Sequence, residues 1–459
     1  MKRQWFVCAG ALAWSSAGLM ACGDDTVLAP LDAGPDASTS TDTAGADTGL
    51  ADGAETTDAS LGGDADAAPP PPTRLLLSFN GFGGQAELVD FGLQSGVVDG
   101  RFIYPDSLGG MTVTTPSNAW LLEQGLDVVA RLDPLQPWVV RSSWNVALDD
   151  YAADSGYSSP YSDPMAVVAG AGSKAYVLRY TRNLIAVIDT SSDVDGGAPL
   201  KTVDLSGQVQ AGGDGYVEMT AGWFNPQNNL LYVLLSNIDR YNISSYLGCS
   251  NTSPTIVAID TSTDQLVSLG GDAGADAGRG GIALPGFDPF GPAAMVYDPP
   301  NNRLLVLEDG CNQPASDGGS PGPLVRREVD AVSLTDGTAT MLLDLTAKPF
   351  PAGLYYLDEH HVVVQLDTAY LWDPATTTLG PAIPNAPQAF DLDGRGNLVG
   401  ISQVFGSDGG AAGWSITSVA RDGGVTVLGS QDPFYVDGGD AGDLFANGYV
   451  AGAQLWPAR

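Results

Sequence analysis

Residues 175–190 read AYVLRYTRNLIAVIDT, and this stretch decides the fold because a similar phrase returns later in the chain. It contains two apolar runs of strand length, 175–180 and 184–190, with a short polar break between them. A second copy reads LYVLL at 231–235 and, after a long insertion, IVAIDT at 256–261. An apolar run, a turn and a second run ending in Asp-Thr are typical of a repeated antiparallel β-meander.

Units of this kind align on their second strands, which are about 35 to 75 residues apart, in the range of propeller repeats with insertions. The runs are nearly continuous in apolar residues, as in strands whose sheet is covered on both faces. Blades stacked face to face around an axis provide that cover. The sequence therefore predicts an all-β fold, a β-propeller of about seven four-stranded blades. The second strands are marked by residues 75–77, 119–122, 175–177, 231–233, 304–306, 362–364 and 397–399.

Polar turns precede several of these second strands. They read NPQNN at 225–229, DPPNN at 298–302 and DLDGRGN at 391–397. Pro presets φ, and Asn and Gly tolerate the left-handed region, so these turns are expected to join the innermost strand of a blade to the next. The third turn has some character of a calcium loop but lacks the later ligands of an EF-hand, which favours a plain turn. With these turns, residues 74–459 resemble the broad class of β-propellers with YVTN- or NHL-like repeats.

The two ends of the repeat region predict how the ring closes. The first unit begins at Arg74 and lacks an inner strand, whereas the last clear unit ends near Gly429. The remaining segment, LFANGYVAGAQL at 444–455, is suited to supply that strand. We expect the two chain ends to pair within one blade and seal the ring.

Residues 1–21 have the pattern of an export signal. Two basic residues precede an apolar run, 5–21, that is too short for a membrane span. The run leads into LMAC, whose Cys is Cys22, and this motif resembles a bacterial lipoprotein signal. The resemblance implies that Cys22 becomes the acylated mature N-terminus, and that Gly23 after it favours the outer membrane. An ordinary secretory signal with a coincidental Cys is the alternative.

Residues 22–73 form a separate region after the signal. Asp, Ala, Gly, Thr and Pro dominate it, and Lys and Arg are missing. Such a chain buries too little apolar surface to offset its ordering entropy, so we predict a disordered tether that begins at the lipidated Cys22. The propeller domain would then occupy 74–459, held at the envelope on either the periplasmic side or the cell surface.

The net charge of the chain limits its partners. The formal charge is -35 at pH 7. Nucleic acid is excluded because its phosphates would be repelled by this surface. The expected partners are the membrane, through the anchor at Cys22, and an unidentified protein or glycan.

Two cysteines remain after the signal and the lipid site take Cys8 and Cys22. Cys249 and Cys311 each follow shortly after a second strand, in consecutive units, and equivalent loops of adjacent blades emerge on one face. Export places them in an oxidising compartment, so we expect a disulfide. Two free thiols or a metal pair are the alternatives.

Residues suited to catalysis are sparse, and no catalytic residue is assigned. His360 and His361 are adjacent, and neighbours in a strand point to opposite faces, so they cannot share a metal. We expect His360 in a turn and His361 at the opening of a strand. The enzymatic alternative is a lactonase-like propeller hydrolase that uses a calcium ion in the channel, its one implied cofactor. Its weak metal candidates are Asp163, Glu218, Asn225 and Asp391.

Aromatic residues in the predicted loops are the stronger functional signal. Aromatic rings with polar neighbours are common in recognition surfaces. We therefore expect a binding or scaffolding module rather than an enzyme, with a purely structural envelope lipoprotein as a further alternative. The alternative interpretation is that these aromatic rings pack the loops onto the rim of the propeller. The binding-face candidates are Trp144, Tyr151, Tyr157, Tyr161, Tyr241, Tyr246, Phe287 and Phe290.

Overall fold

A computed structural model of the chain describes residues 73–81, 86–104, 108–115, 118–133, 136, 139–148, 161–238, 249, 251–269, 280–289, 291–313, 322–405, 411–431 and 448–456. The predicted signal, the predicted tether up to residue 72 and the predicted lipidation site Cys22 lie outside these residues. No helix within the described part of the chain has the length and apolar character needed to cross a membrane.

Seven antiparallel sheets follow one another along the chain, and each corresponds to one predicted repeat unit. Blade 1 begins with β1 (Arg74–Gly81), β2 (Ala86–Gly92) and β3 (Val98–Tyr104). Blade 2 consists of β4 (Leu108–Thr115), β5 (Asn118–Glu123), β6 (Val128–Leu132) and β7 (Val140–Asn145). Blade 3 consists of β8 (Pro164–Ala169), β9 (Lys174–Arg179), β10 (Leu184–Asp189) and β11 (Lys201–Asp204). Blade 4 consists of β12 (Met219–Asn225), β13 (Leu230–Leu235), β14 (Thr255–Asp260) and β15 (Gln265–Val267), and β14 also pairs with β16 (Ile282–Ala283).

The remaining blades follow the same order. Blade 5 consists of β17 (Met295–Asp298), β18 (Arg303–Leu307), β21 (Glu328–Ser333) and β22 (Ala339–Asp344), with the small hairpin β19 (Cys311–Asn312) and β20 (Leu324–Val325) inserted. Blade 6 has three strands, β23 (Gly353–Asp358), β24 (His361–Gln365) and β25 (Ala369–Trp372), and an isolated bridge from Tyr370 to Ala382 extends it. Blade 7 consists of β26 (Ala389–Leu392), β27 (Leu398–Phe405), β28 (Ala411–Val419) and β29 (Val425–Gln431). Short 3₁₀ turns occur at Gln124–Leu126, Ser206–Gln208 and Pro292–Ala294.

The innermost strands of neighbouring blades contact one another around the ring, and between blades 6 and 7 the ring of Tyr355 in β23 packs on Phe390 in β26 at a centroid distance of 4.8 Å. The first strands of blades 2 to 6 meet in sequence, β4 against β8, then β12, β17 and β23. A last strand, β30 (Gly448–Trp456), lies between β26 and β4 and so completes blade 1 from the inside. The chain is a seven-bladed β-propeller.

The closing strand pairs the two ends of the domain, as the sequence predicts. β30 runs antiparallel to β1, from the pair Arg74–Trp456 to the pair Gly81–Gly448. The register shifts once, between Ser78 and Phe79. The sheet order of blade 1 is therefore β3, β2, β1, β30, and the C-terminal strand is the innermost one.

Packing between blades explains the continuous apolar runs. In β9, Tyr176 and Leu178 belong to the core between blades 3 and 4, whereas Ala175 and Val177 belong to the core between blades 2 and 3. Successive side chains of a strand point to opposite faces, so both faces of this strand are buried. Each fully buried side chain of the size of Val or Leu contributes about 1.5–3 kcal/mol relative to exposure.

The predicted polar turns connect first and second strands. Asn229 and Asn302 adopt left-handed φ values of 59° and 45° just before β13 and β18. In the third turn, the Asp393 carboxylate accepts the N–H of Asn397 at 2.8 Å and Gly396 has a φ of 78°. This carboxylate closes its own turn, in agreement with the plain-turn interpretation.

A polar contact between blades 3 and 4 lies on the side of the ring where these turns are found. The Asp264 side chain, 2% exposed, accepts a hydrogen bond from Lys174 Nζ at 2.7 Å and is also contacted by Lys201 and by the Tyr176 hydroxyl. Burial by itself would raise the pKa of Asp264, but hydrogen bonds from Lys174, Lys201 and Tyr176 lower it below the usual value. The contact couples two neighbouring sheets through an ionised carboxylate.

Candidate functional site

One face of the ring carries the long insertions of blades 4 and 5. In an antiparallel blade, the connection that enters the first strand and the connection from the second to the third strand lie at the same end. We call this end of the ring the loop face. The insertion of blade 4 lies between β13 and β14, and that of blade 5 lies between β18 and β21.

A disulfide joins these two insertions. Cys249 and Cys311 are bonded with an S–S distance of 2.02 Å, which confirms the predicted pair. The backbone N–H of Cys249 also donates to the carbonyl of Asn312 at 3.0 Å. Cys311 is buried in a small apolar cluster with Ile238 and Phe287. The loops of two adjacent blades are therefore held together covalently and by packing.

Two of the predicted binding-face aromatics belong to the core instead. Trp144 is 2% exposed and packs on Trp120, with a ring centroid distance of 5.5 Å. Phe287 is also 2% exposed, because its ring fills the space beside the disulfide. These two rings are removed from the set of binding-face candidates, since a buried ring offers no surface to a partner.

The other binding-face candidates divide by whether the structure describes them. Tyr161 is described and is 47% exposed, and its backbone carbonyl accepts a hydrogen bond from the Thr181 hydroxyl at 2.7 Å. It precedes β8 and so lies on the loop face. The rest lie outside the described residues, and the prediction for them stays a prediction. They are Tyr151, Tyr157, Tyr241, Tyr246 and Phe290.

Acidic residues occupy equivalent backbone positions ahead of three consecutive first strands. Asp163, Glu218 and Asp288 have left-handed φ values of 55°, 45° and 55°. Such values are uncommon for residues other than glycine. Each carbonyl accepts an N–H from a residue just past the second strand of its blade, namely Tyr180, Ser236 and Asp309. This equivalence appears only when the hydrogen bonds of blades 3, 4 and 5 are compared.

The four weak metal candidates are not brought together. Glu218 precedes β12 on the loop face, where its Oε2 accepts the Ile238 N–H at 3.0 Å, whereas Asn225 ends the same strand at the opposite face. Asp391 lies within β26 and accepts the Leu455 N–H of the closing strand at 2.9 Å. Burial raises the pKa of Asp391, and its backbone hydrogen bonds offset part of the increase. Within the described residues, no group of three or more His, Cys, Asp or Glu is placed to hold a metal ion.

The two histidines take the positions expected from the sequence. His360 lies in the turn before β24, and His361 is the first residue of that strand. His361 Nδ1 is 2.7 Å from an Asp358 carboxylate oxygen, which also accepts the backbone N–H of His360. His361 thus takes part in the turn that opens the strand.

A buried group of carboxyls beside the disulfide is the feature that sequence reasoning missed. We call Glu308, Glu328, Asp330 and Asp288 the carboxyl cluster. Glu308 and Asp330 are fully buried, and Glu328 is largely buried. Both oxygens of Glu308 lack a hydrogen-bond partner among the described residues. The available signal was an acid at the end of one apolar strand, LLVLE at 304–308, and two acids in another, EVDAVS at 328–333.

Burial and mutual repulsion in the carboxyl cluster raise the pKa values of its buried carboxyl groups and so favour their protonated forms. Burial raises the pKa of Glu308 well above its usual value, and the charges of Asp330, Glu328 and Asp288 raise it further. Burial raises the pKa of Asp330 to about 7. Burial also raises the pKa of Glu328, and the charge of Glu328 raises that of Asp330 further. The positive charge of Arg326 lowers the pKa of Glu308 and so offsets part of the increase.

Comparison with known proteins identifies no family for this chain. No family model matches the chain, and no curated protein matches it. A hydrazine synthase structure from Kuenenia stuttgartiensis is 14% identical, with a TM-score of 0.44, and the match covers 80% of this chain and 97% of that one. A streptogramin B lyase structure is 12% identical, with a TM-score of 0.42 and coverage of 79% and 95%. A β-propeller domain from Myceliophteria thermophila is 9% identical, with a TM-score of 0.42 and coverage of 79% and 96%. Likenesses at this level assign no ligand or reaction to this chain.

Proposed function

We propose that this protein is a lipid-anchored component of the bacterial cell envelope whose propeller binds a protein, glycan or other envelope component on its loop face. The observation that carries the proposal is the Cys249–Cys311 disulfide, which ties together the insertions of two adjacent blades. Disulfides persist in oxidising compartments, in agreement with the export signal predicted for residues 1–21. Loops that are ordered before binding lose less conformational entropy when a partner docks.

Aromatic residues of the loop face supply the contact chemistry in this proposal. Tyr161 presents an exposed ring there, with 47% of its surface accessible. Tyrosine combines a large rigid apolar area with a hydroxyl that hydrogen-bonds at low entropic cost. The net charge of -35 favours neutral or cationic partners, because like charges across an interface are repelled.

The anchor is tested by the substitution Cys22→Ser. We expect the wild-type chain to incorporate labelled fatty acid and to sediment with membranes, and the variant to lose both properties. The physical reason is that each buried CH₂ contributes about 0.8 kcal/mol, so acyl chains hold the protein at the lipid surface. Cys8→Ser is the matched control, since it removes a thiol from the signal and leaves the acylation site intact. A Cys22→Ser protein that still incorporates fatty acid would refute the anchor.

The binding surface is tested by replacing its tyrosines together. The quadruple variant Tyr151→Ser, Tyr157→Ser, Tyr161→Ser and Tyr241→Ser should capture its envelope partner at least about tenfold more weakly, because contact tyrosines contribute on the order of 1–2 kcal/mol each. The measurement is the apparent Kd for the partner recovered from an envelope extract by the immobilised wild-type chain. Leu200→Ser is the control: Leu200 is 60% exposed and lies in the connection between β10 and β11, on the opposite face. Equal affinity of the quadruple variant and wild type would exclude this face as the site.

A further inference from the structure

The segment 284–289 crosses the loop face between the carboxyl cluster and the disulfide. We call it the strap. Its backbone is held on the blade 5 side by Asp309 and Gly310, whose N–H groups donate to the carbonyls of Asp288 and Phe287 at 3.2 and 2.9 Å. On the blade 4 side, the hydroxyl of Ser236 donates to the carbonyl of Pro289 at 2.7 Å. The strap thus bridges the ends of the second strands of two blades.

The carboxyl cluster contacts the strap at Gly286. The Gly286 N–H donates to Asp330 Oδ2 at 3.0 Å. The side chain of Glu308 lies so close that a Cβ at Gly286 would collide with its Cγ. Glu308 is held by its own backbone N–H, which donates to the carbonyl of Glu328 at 2.9 Å. The strap therefore covers a carboxyl group whose oxygens have no donor among the described residues.

Among the described residues, the acids that face Glu308 outnumber the cations. Asp330, Glu328 and Asp288 face it with negative charge, and Arg326 is the cation that faces it. The Arg326 guanidinium donates to the strap carbonyls of Pro285, at 2.8 Å, and of Gly286, instead of forming a hydrogen bond with Glu308. An ionised carboxylate in this position would be buried without a hydrogen bond, which is costly.

Further charges adjoin the cluster from neighbouring elements. Asp344, on β22, faces Glu328 and raises its pKa. Asp309 is half-buried, and its pKa is raised by that burial and further by the charge of Asp288. Arg327 faces Asp309 while it donates to the Asp309 and Lys348 carbonyls at 2.7 and 2.5 Å. These neighbours add two carboxyls and one engaged guanidinium, so acids still outnumber bases at the strap within the part of the chain that the structure describes.

We propose that the strap is a pH-controlled latch, closed while the buried carboxyl groups of Glu308 and Asp330 hold protons and released when they ionise. Ionisation leaves mutually repelling carboxylates buried beneath the strap, and lifting the strap lets water reach them. Because Phe287 lies in the strap and packs on Cys311, release also withdraws an aromatic ring from the disulfide cluster. Release of the strap would change the part of the loop face where the disulfide joins the two insertions.

The sign of the pH dependence follows from the direction in which the pKa values of the buried carboxyls are shifted. A carboxyl whose pKa is raised in the closed state stabilises that state below its ordinary pKa, and the stabilisation is lost as pH rises through the raised value. For Asp330 the stabilisation of the closed state is lost over the pH range from about 4 to about 7. Glu308 is shifted upward as well, so the closed latch is favoured in mild acid and weakened above neutral pH.

Hydrogen exchange of the full mature chain tests the latch. After correction for the intrinsic pH dependence of exchange, amides of 284–289 and 306–313 should exchange up to about tenfold faster per pH unit between pH 6 and 8, because each released proton changes the opening equilibrium tenfold per unit. Amides of β9 serve as an internal reference with no expected change. Corrected protection of the strap that is constant over this range would overturn the proposal.

Two further measurements separate the latch from a general loss of stability. Glu308→Gln removes the ionisable group at nearly constant shape and should flatten the pH profile of strap exchange, while the exposed control Glu359→Gln should leave it unchanged. An unaltered profile in Glu308→Gln would contradict the proposal. If that variant does not fold, infrared difference spectra of the wild-type chain decide: a protonated carboxyl band should disappear as pH rises from 6 to 9, and a spectrum without such a band at pH 6 would overturn the latch.

Discussion

Deletion of residues 448–459 should abolish cooperative folding of the propeller. The closing strand β30 forms eight residue pairs with β1 and fills the place between β26 and β4. Backbone hydrogen bonds at about 1 kcal/mol each, together with the burial of Leu455 and Ala453, sum to on the order of 10 kcal/mol. This is comparable with the whole stability of a typical domain, about 5–15 kcal/mol.

The loss of stability would extend beyond the closing strand to the strands that contact it. Without β30, the half-buried Asp391 loses the hydrogen bond from the backbone N–H of Leu455, and β1 exposes an unpaired inner edge. Urea denaturation followed by circular dichroism is the measurement, and the expected result is the disappearance of the sigmoidal transition. Removal of 457–459 alone is the control and should leave the midpoint unchanged.

Addition of a peptide in trans sharpens this test. A synthetic peptide of residues 448–456 should restore part of the transition, because an extended segment can add to an exposed sheet edge. A shortened chain that unfolds at the same urea concentration as the full chain would show that the ring does not depend on this strand.

Replacement of both Cys249 and Cys311 by Ser should lower the free energy of unfolding by about 4 kcal/mol in the chain-entropy model. The bond closes a loop with a sequence separation of 62, so its loss frees a long segment in the unfolded chain. Denaturant midpoints of the double variant and of wild type give the measurement. Local protection of the strap should fall as well, since Phe287 packs against Cys311.

Reduction provides the matched control for the disulfide. Treatment of wild type with a thiol reductant should reproduce the lower midpoint of the double variant, and the same treatment of the variant should change nothing. The reduced protein should also bind its partner more weakly if ordered loops form the binding surface. Identical midpoints for oxidised wild type and the double variant would show that the bond does not stabilise the fold.

Much of the architecture was predictable because strands and turns are encoded locally. The second strands, the polar turns before β13, β18 and β27, and the strand opening at His361 follow from short apolar runs and from turn residues that accept particular φ values. The closing strand and the disulfide were predictable from a comparison of the repeat units with one another. Repetition makes residues of different units equivalent, so an unpaired strand or a pair of cysteines can be assigned to neighbouring places.

The burial of individual loop side chains was not predictable in this way. Trp144 and Phe287 looked like recognition residues, yet one packs on Trp120 and the other beside the disulfide. Glu218 and Asn225 are close in sequence but lie at opposite ends of β12. Whether such residues meet a neighbour depends on the approach of another blade, which the local sequence does not contain.

The sequence by itself predicted a propeller of about seven four-stranded blades, the strand that closes the ring and the cysteine pair, because strand periodicity and repetition carry that information along the chain, whereas the tertiary structure gave the count of seven. Only the tertiary structure decided that Asp264 links blades 3 and 4, and that Glu308 and Asp330 lie together beneath the strap. The reason is physical: the pKa and the role of a carboxyl are determined by its burial and by charges from distant segments, and these arise only when the sheets pack.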